Sequence, residues 1–181
     1  MQSVEPIRCK KTIKKIKTNL LKKSPRDFLL FSLGINSGLR ISDILKLKVK
    51  DVKDVEYIQI KEKKTQKSKR FPITNAYKKM LDEYIKNKSL EDWLFKSKKG
   101  NRPITRVQAY RIIRRACEKA GITTKIGTHT LRKTFGYHFY QEKKDIALLQ
   151  TIFNHSTPTV TLRYIGINQD MIDSNLKSFS L

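Results

Sequence analysis

Apolar residues recur every three or four positions along most of this chain, which is the spacing of one face of an α-helix. Three short stretches follow a β pattern instead: residues 57–61 and 69–73 predict a hairpin with the polar segment 63–68 at its tip, and residues 93–95 predict a further strand. The predicted helices span residues 8–23, 24–37, 41–47, 74–88, 105–121, 128–142, 145–153, 157–164 and 168–178. The fold class is therefore mainly α with a small antiparallel β-sheet (α+β).

The pattern predicts a single domain, because no proline- or glycine-rich linker divides the 181 residues. Residues 1–10 are expected to form a leader, and residues 168–181 a C-terminal helix with an apolar stripe. The stripe comprises Met171, Ile172, Leu176 and Phe179. Two alternatives remain for this stripe: it closes the protomer's own core, or it passes to a neighbouring protomer.

The charge balance points to a polyanionic partner. Forty lysines and arginines against 16 aspartates and glutamates give a net charge of +24, which nucleic acid would neutralise with release of counterions. A ribosomal or membrane-surface protein is the alternative. Two cysteines make no disulfide framework, no apolar run reaches membrane-span length, and we expect a cytoplasmic protein.

Three segments carry side chains suited to binding a phosphate. Arg40 and Asp43 lie three residues apart, as do His129 and Arg132, so each pair shares a helix face. Asp43 would then orient Arg40, although a solvated surface pair is the simpler alternative for either spacing. No carboxylate cluster or phosphate-binding glycine loop is evident in the sequence, so we expect neither a metal nor any other cofactor.

The third segment places Tyr164 nine residues after His155. The order of these residues resembles the catalytic domain of the tyrosine recombinase (phage integrase) family. That order is an arginine, a hairpin lysine, the HxxR pair, a histidine and a tyrosine. GLRISD, HTLRKTFG and FNHSTPTVTLRYI match its motifs, over residues 10–164. This chain has Lys133 where many members have histidine, and Phe153-Asn154 where leucine and glycine are usual.

The resemblance implies a site-specific DNA recombinase or integrase of a mobile element, which cleaves and rejoins strands through a 3′-phosphotyrosine without metal or ATP. Tyr164 would be the nucleophile, and His129 its general base and acid. Arg40 and Arg132 would bind the scissile phosphate, to which His155 would donate a hydrogen bond. Lys64 of the hairpin would be the general acid for the leaving oxygen, with Lys67 as the second choice.

The implied partners are double-stranded DNA and other protomers in a synaptic assembly. Most relatives carry a further DNA-clamping domain before this one, and none is predicted in this chain. The expected DNA-contacting residues are Lys67, Lys69, Lys99, Arg102, Arg106, Arg111 and Arg114. A type IB topoisomerase and a catalytically silent DNA-binding protein are the competing functions.

Overall fold

The computed structural model describes residues 4–61, 68–167, 172 and 176–179. The predicted fold class is confirmed, because helices dominate the described residues and two strands form one antiparallel hairpin. The elements are α1 (Lys10–Lys23), α2 (Pro25–Ser37), α3 (Ile41–Ile44), a 3₁₀ turn (Val49–Asp51), β1 (Tyr57–Lys61), β2 (Ser68–Pro72), α4 (Asn75–Ile85), α5 (Arg106–Lys119), α6 (Thr128–Lys143), α7 (Ile146–Phe153) and α8 (Pro158–Ile165).

Several helices begin at residues whose side chains cap the first turn. The Ser24 hydroxyl accepts a hydrogen bond from the backbone amide of Asp27 at 3.3 Å, and Pro25 occupies the first helical position of α2. Thr105 and Gln108 form a reciprocal capping box that starts α5. These starts agree with the sequence prediction because a cap depends only on neighbouring residues.

Two predictions about local structure are wrong. Residues 93–95 form no strand: Trp93 makes a single antiparallel bridge with Lys48, and its neighbours Leu94 and Phe95 are buried in the core. Helix α3 ends at Ile44 rather than near Leu47, because the chain there turns to bury its apolar side chains. The two predicted strands of the hairpin are present, and Ile58 pairs with Phe71.

The apolar residues form two clusters that meet along α6. The larger cluster includes Leu131 of α6 with side chains of α1, α2, α4 and α5, and the smaller one is centred on Leu149, Phe153 and Ile165. Helices α2 and α6 approach closely at Gly34, where an added Cβ would lie 2.5 Å from Leu131 Cδ1. Side chains of α6 therefore pack into both clusters, and α6 lies along the boundary where the two clusters meet.

Residues 4–8, here called the N-terminal segment, lie against α6 rather than extending from the domain. The Ile7 amide donates to Thr134 Oγ1 at 2.9 Å, and His138 Nε2 lies 2.9 Å from the Ile7 carbonyl oxygen. Arg8 donates to the carbonyl of Gly166 at 3.3 Å, just after α8. None of the helices in the described part of the chain is long and apolar enough to span a membrane.

Candidate active site

Arg132 is a buried arginine that joins two distant segments of backbone. Its side chain lies in α6, is 3% exposed, and donates to the carbonyl of Gly38 and, at 2.9 Å, to that of Phe153. The guanidinium carbon also lies 4.3 Å from the centre of the Phe153 ring. Because Gly38 precedes Arg40 and Phe153 precedes His155, this one side chain holds three motifs together.

Both of those carbonyls lie at turns with positive φ. Gly38 has φ 64°, and a Cβ there would be 2.6 Å from the Phe135 ring, so glycine is required. Asn154, which replaces the family's usual glycine, ends α7 with φ 53°. Asparagine tolerates this left-handed conformation better than most non-glycine residues, so the turn that presents His155 is kept.

A cationic cleft of about 560 Å³ opens beside Arg132. Its lining contains three arginines and one histidine but no acidic side chain, which suits a phosphodiester. The lining residues are Arg40, Ile41, Ser42, Arg106, Thr128, His129 and Arg132, and we call them the arginine cleft. Arg106 was predicted as a DNA-contacting residue, and the start of α5 places it in this cleft beside the predicted catalytic residues.

Tyr164 lies at the edge of this arrangement with its hydroxyl 3.2 Å from His129 Nδ1. Burial raises the pKa of Tyr164, while Arg132 and Arg40 act to lower it. Partial burial, followed by the surrounding cations, lowers the pKa of His129. This lowered pKa favours the neutral imidazole, which is the form that can accept the phenol proton.

His155 lies close to both Tyr164 and the backbone that positions it. Its ring centre is 5.0 Å from that of Tyr164, and its Nδ1 is 3.1 Å from the hydroxyl of Thr161. Gln150 donates to the His155 carbonyl at 3.2 Å. Thr161 is fully buried and was not predicted as a site residue. The final motif of the family includes a threonine, and this could have indicated such a role.

The low pKa of His155 predicts that the protein loses stability in mild acid. Burial, then Arg132 and Arg40, lower this pKa to about 4 from an ordinary value of about 6.5. Between those values the unfolded chain binds more protons, so the free energy of unfolding should fall as pH decreases from about 6.5 to 4.5. Urea titrations across this range should show a shallower fall for His155→Gln. If the free energy of unfolding depends equally on pH in the two proteins, the loss of stability does not come from His155.

The remaining predicted site residues are placed as follows. Lys64 and Lys67 lie outside the described residues. Lys69, the second residue of β2, donates to the carbonyl of Ile152 in α7, so the start of β2 is held beside the site. Arg114 is exposed but paired with Glu118 at 2.7 Å. The other predicted DNA contacts, Lys99, Arg102, Arg106 and Arg111, are exposed, and Asp43 is buried.

Three of the other tyrosines make hydrogen bonds away from His129. Tyr77 and Tyr84 donate to the backbone carbonyls of Leu29 and Leu94. Tyr110 accepts a hydrogen bond from Arg114 on the outer flank of α5. Tyr164, in contrast, has its hydroxyl at His129, and its role as the nucleophile stays a prediction.

Comparisons with known proteins give one consistent family. Residues 9–171 match the model of the phage integrase family. The chain is 50% identical to the probable integrase/recombinase YoeC of Bacillus subtilis, covering 99% of this chain and 98% of that protein. It is 33% identical to a tyrosine recombinase of Pseudothermotoga lettingae, covering 84% of this chain but only 54% of the relative.

Among solved structures, the chain resembles the XerH site-specific recombinase in a post-cleavage complex with its difH substrate. The TM-score is 0.75 at 22% identity, over 96% of this chain and 53% of XerH. This likeness supports the fold. The chain thus spans nearly the whole of one relative and about half of the others named here.

Proposed function

This chain belongs to the phage integrase family of tyrosine recombinases, and we propose that it breaks and rejoins DNA at specific sites through a 3′-phosphotyrosine. The observation that carries this proposal is the contact between the Tyr164 hydroxyl and His129, at 3.2 Å, beside a cleft lined by arginines. A nucleophile, a neutral base and a cationic phosphate site are the groups that phosphoryl transfer needs.

In the proposed reaction, Tyr164 attacks a backbone phosphorus while His129 takes the phenol proton. The bond from Tyr164 Oη to phosphorus forms, and the bond from phosphorus to the 5′-oxygen breaks. Arg40 and Arg132 stabilise the charge on the non-bridging oxygens, since guanidinium groups stay protonated and bind such oxygens in pairs. Because the phosphate ester is retained on Tyr164, attack by a 5′-hydroxyl rejoins DNA without ATP.

The leaving 5′-oxygen needs a proton, and we propose that Lys64 supplies it. Support comes from the start of β2, five residues after Lys64, where Lys69 donates to the carbonyl of Ile152 in α7, three residues before His155. His155, whose side chain shares Arg132 and Tyr164 as neighbours, is proposed to hydrogen-bond the same phosphate.

The two competing functions are weighed by different observations. The named relatives are recombinases or integrases, which favours recombination over topoisomerase activity. A silent DNA-binding protein would have no need of a tyrosine hydroxyl held at a neutral imidazole. The covalent adduct described in the Discussion separates an enzyme from such a binder.

DNA affinity should depend steeply on salt, because the positive surface is expected to neutralise many phosphates. With about six to ten phosphates contacted, the logarithm of the binding constant should fall with a slope of about −5 to −9 against the logarithm of salt concentration. Titrations of a labelled duplex measure this slope. Arg111→Ala should reduce its magnitude by about 1, since one exposed cation of α5 is lost. A wild-type slope of about −1 to −2 would contradict a surface that follows a duplex.

Assembly on DNA is proposed to use the C-terminal apolar stripe. Of its four residues, Met171 lies outside the described part, whereas Ile172, Leu176 and Phe179 are 43%, 63% and 66% exposed. Exposed apolar side chains at helical spacing favour a partner surface over an internal core. Whether the stripe is exchanged between protomers stays a prediction.

Deletion from Asn168 onward should therefore leave a folded protein that binds one DNA site but does not assemble. Light scattering on duplexes with one and two sites would measure assembly, and thermal unfolding would measure the fold. A truncated protein that unfolds would show that the stripe belongs to the protomer's own core.

A further inference from the structure

Lys133 is a buried lysine that contacts the proposed nucleophile from within the protein. It follows Arg132 in α6, is 6% exposed, and its ammonium lies 5.2 Å from the centre of the Tyr164 ring. Successive helix residues are separated by about 100°, so Lys133 and Arg132 point in different directions. In agreement, Lys133 is not among the residues that line the arginine cleft.

The N-terminal segment supplies the other charges near Lys133. Burial lowers the pKa of Lys133, Glu5 acts to raise it, and Arg8 acts to lower it. Glu5 is itself bound to Arg8 at 3.1 Å, and Arg8 reaches the carbonyl of Gly166 after α8. The carboxylate of Glu5 therefore helps to keep a charged amine beneath the helix that carries Tyr164.

We propose that Lys133 is a positioning residue whose ammonium favours the phenolate character that Tyr164 acquires as it attacks phosphorus. This inference rests on the proposed function. Lys133 makes and breaks no bond in the step: the phenol proton goes to His129, and the 5′-oxygen leaves from phosphorus. Its contribution is a fixed positive charge near the ring, which stabilises an anion more than a neutral phenol.

The charge of Lys133 differs from the charges of the cleft arginines in how DNA binding affects it. A phosphate bound in the arginine cleft neutralises part of the charge of Arg40 and Arg132, so their effect on the phenol decreases once DNA is bound. Lys133, which lies outside that cleft, keeps its effect in the complex. Within the described residues, the charged or titratable groups that contact Tyr164 or Lys133, or shift the pKa of either, include Arg40, His129, Arg132 and His155, with Glu5 and Arg8 on the N-terminal segment.

The first test removes the charge with little change in side-chain length. Lys133→Met should slow formation of the covalent adduct about tenfold at pH 7, while the Kd for DNA stays within twofold. Lys88→Met is the matched control, because the Lys88 ammonium lies 4.5 Å from the centre of the Tyr84 ring and neither residue has a proposed catalytic role. A rate within twofold of wild type for Lys133→Met, or an equal loss in the control, would overturn the proposal.

The second test replaces the fixed charge by one that titrates. Lys133→His introduces an imidazole with an ordinary pKa of about 6.5, so the rate of adduct formation should fall as pH rises from about 5.5 to 7.5, relative to wild type. A merely structural role for Lys133 predicts no such additional dependence on pH. A variant profile parallel to the wild-type profile would count against the proposed role.

Glu5→Gln keeps the test decisive if substitutions at the buried position impair folding, since the change lies outside α6. Without this carboxylate the pKa of Lys133 falls, so Lys133 loses its charge at a lower pH. The rate of adduct formation should therefore begin to decrease, on raising the pH, at a lower pH than in wild type. An unchanged alkaline limb would overturn the proposal. If wild-type protein forms no adduct on a nicked suicide duplex, the proposed function is wrong. If wild type is active and the variants match it, only the proposed role of Lys133 is wrong.

Discussion

Replacing Tyr164 by phenylalanine is expected to abolish covalent attachment of the protein to DNA, while the affinity for DNA stays within about twofold. The substitution removes only the hydroxyl that contacts His129. The ring keeps its edge-on packing against Phe153 and His155, at 5.4 and 5.0 Å, so the fold should lose at most about 1 kcal/mol. The phosphate-binding cations are untouched, which is why binding survives the loss of chemistry.

A nicked suicide duplex that carries the recognised site traps the covalent complex, and denaturing gels measure it. Tyr137→Phe is the matched control, because Tyr137 lies on α6 against Arg8 and makes no contact with His129. Cleavage by wild type should persist in EDTA. An adduct formed by the Tyr164→Phe protein, or one that maps to another tyrosine, would contradict the assignment.

Arg132→Lys is expected to damage both catalysis and stability, although the positive charge is kept. A lysine cannot reproduce the fork that donates to the carbonyls of Gly38 and Phe153 while facing a phosphate. Adduct formation should fall by about 10²–10³-fold, the scale seen when one preorganised donor to a transition state is lost. Leaving a buried carbonyl without its donor should lower the free energy of unfolding by about 1–3 kcal/mol.

Arg106→Lys is the matched control for this substitution. Arg106 lines the same cleft, but its side chain is exposed at the start of α5 and supports no buried backbone. It should therefore alter DNA binding or cleavage without changing urea unfolding. Equal stability of Arg132→Lys and wild type would show that the two carbonyl contacts do not stabilise the fold.

The features that could be predicted from sequence are those that depend on near neighbours. The caps at Ser24 and Thr105 involve partners three residues away, so their residue types suffice to predict helix starts. The site residues were predicted from the order of three motifs, and the structure brings Arg40, His129 and Arg132 to one cleft.

Features created by distant residues could not be obtained in this way. The buried segment at Trp93 pairs with Lys48, and nothing local indicates that partner. Arg106 joins the cleft only because the start of α5 meets the start of α6. The HxxR spacing indicates a phosphate ligand at Arg132, yet its two carbonyl acceptors lie 94 and 21 residues away in sequence.

The placement of the N-terminal segment has a consequence for how the molecule is completed during translation. Arg8 leaves the ribosome before its acceptor at Gly166, which follows 158 residues later, or about 8–30 s of synthesis. Ile7 likewise waits for Thr134 and His138. The first residues of the described chain are thus among the last to dock, and they dock on the helices that carry His129 and Tyr164. A nascent chain would consequently complete its DNA-cleaving site only after residue 166 has emerged, when its cationic helices are already outside the ribosome.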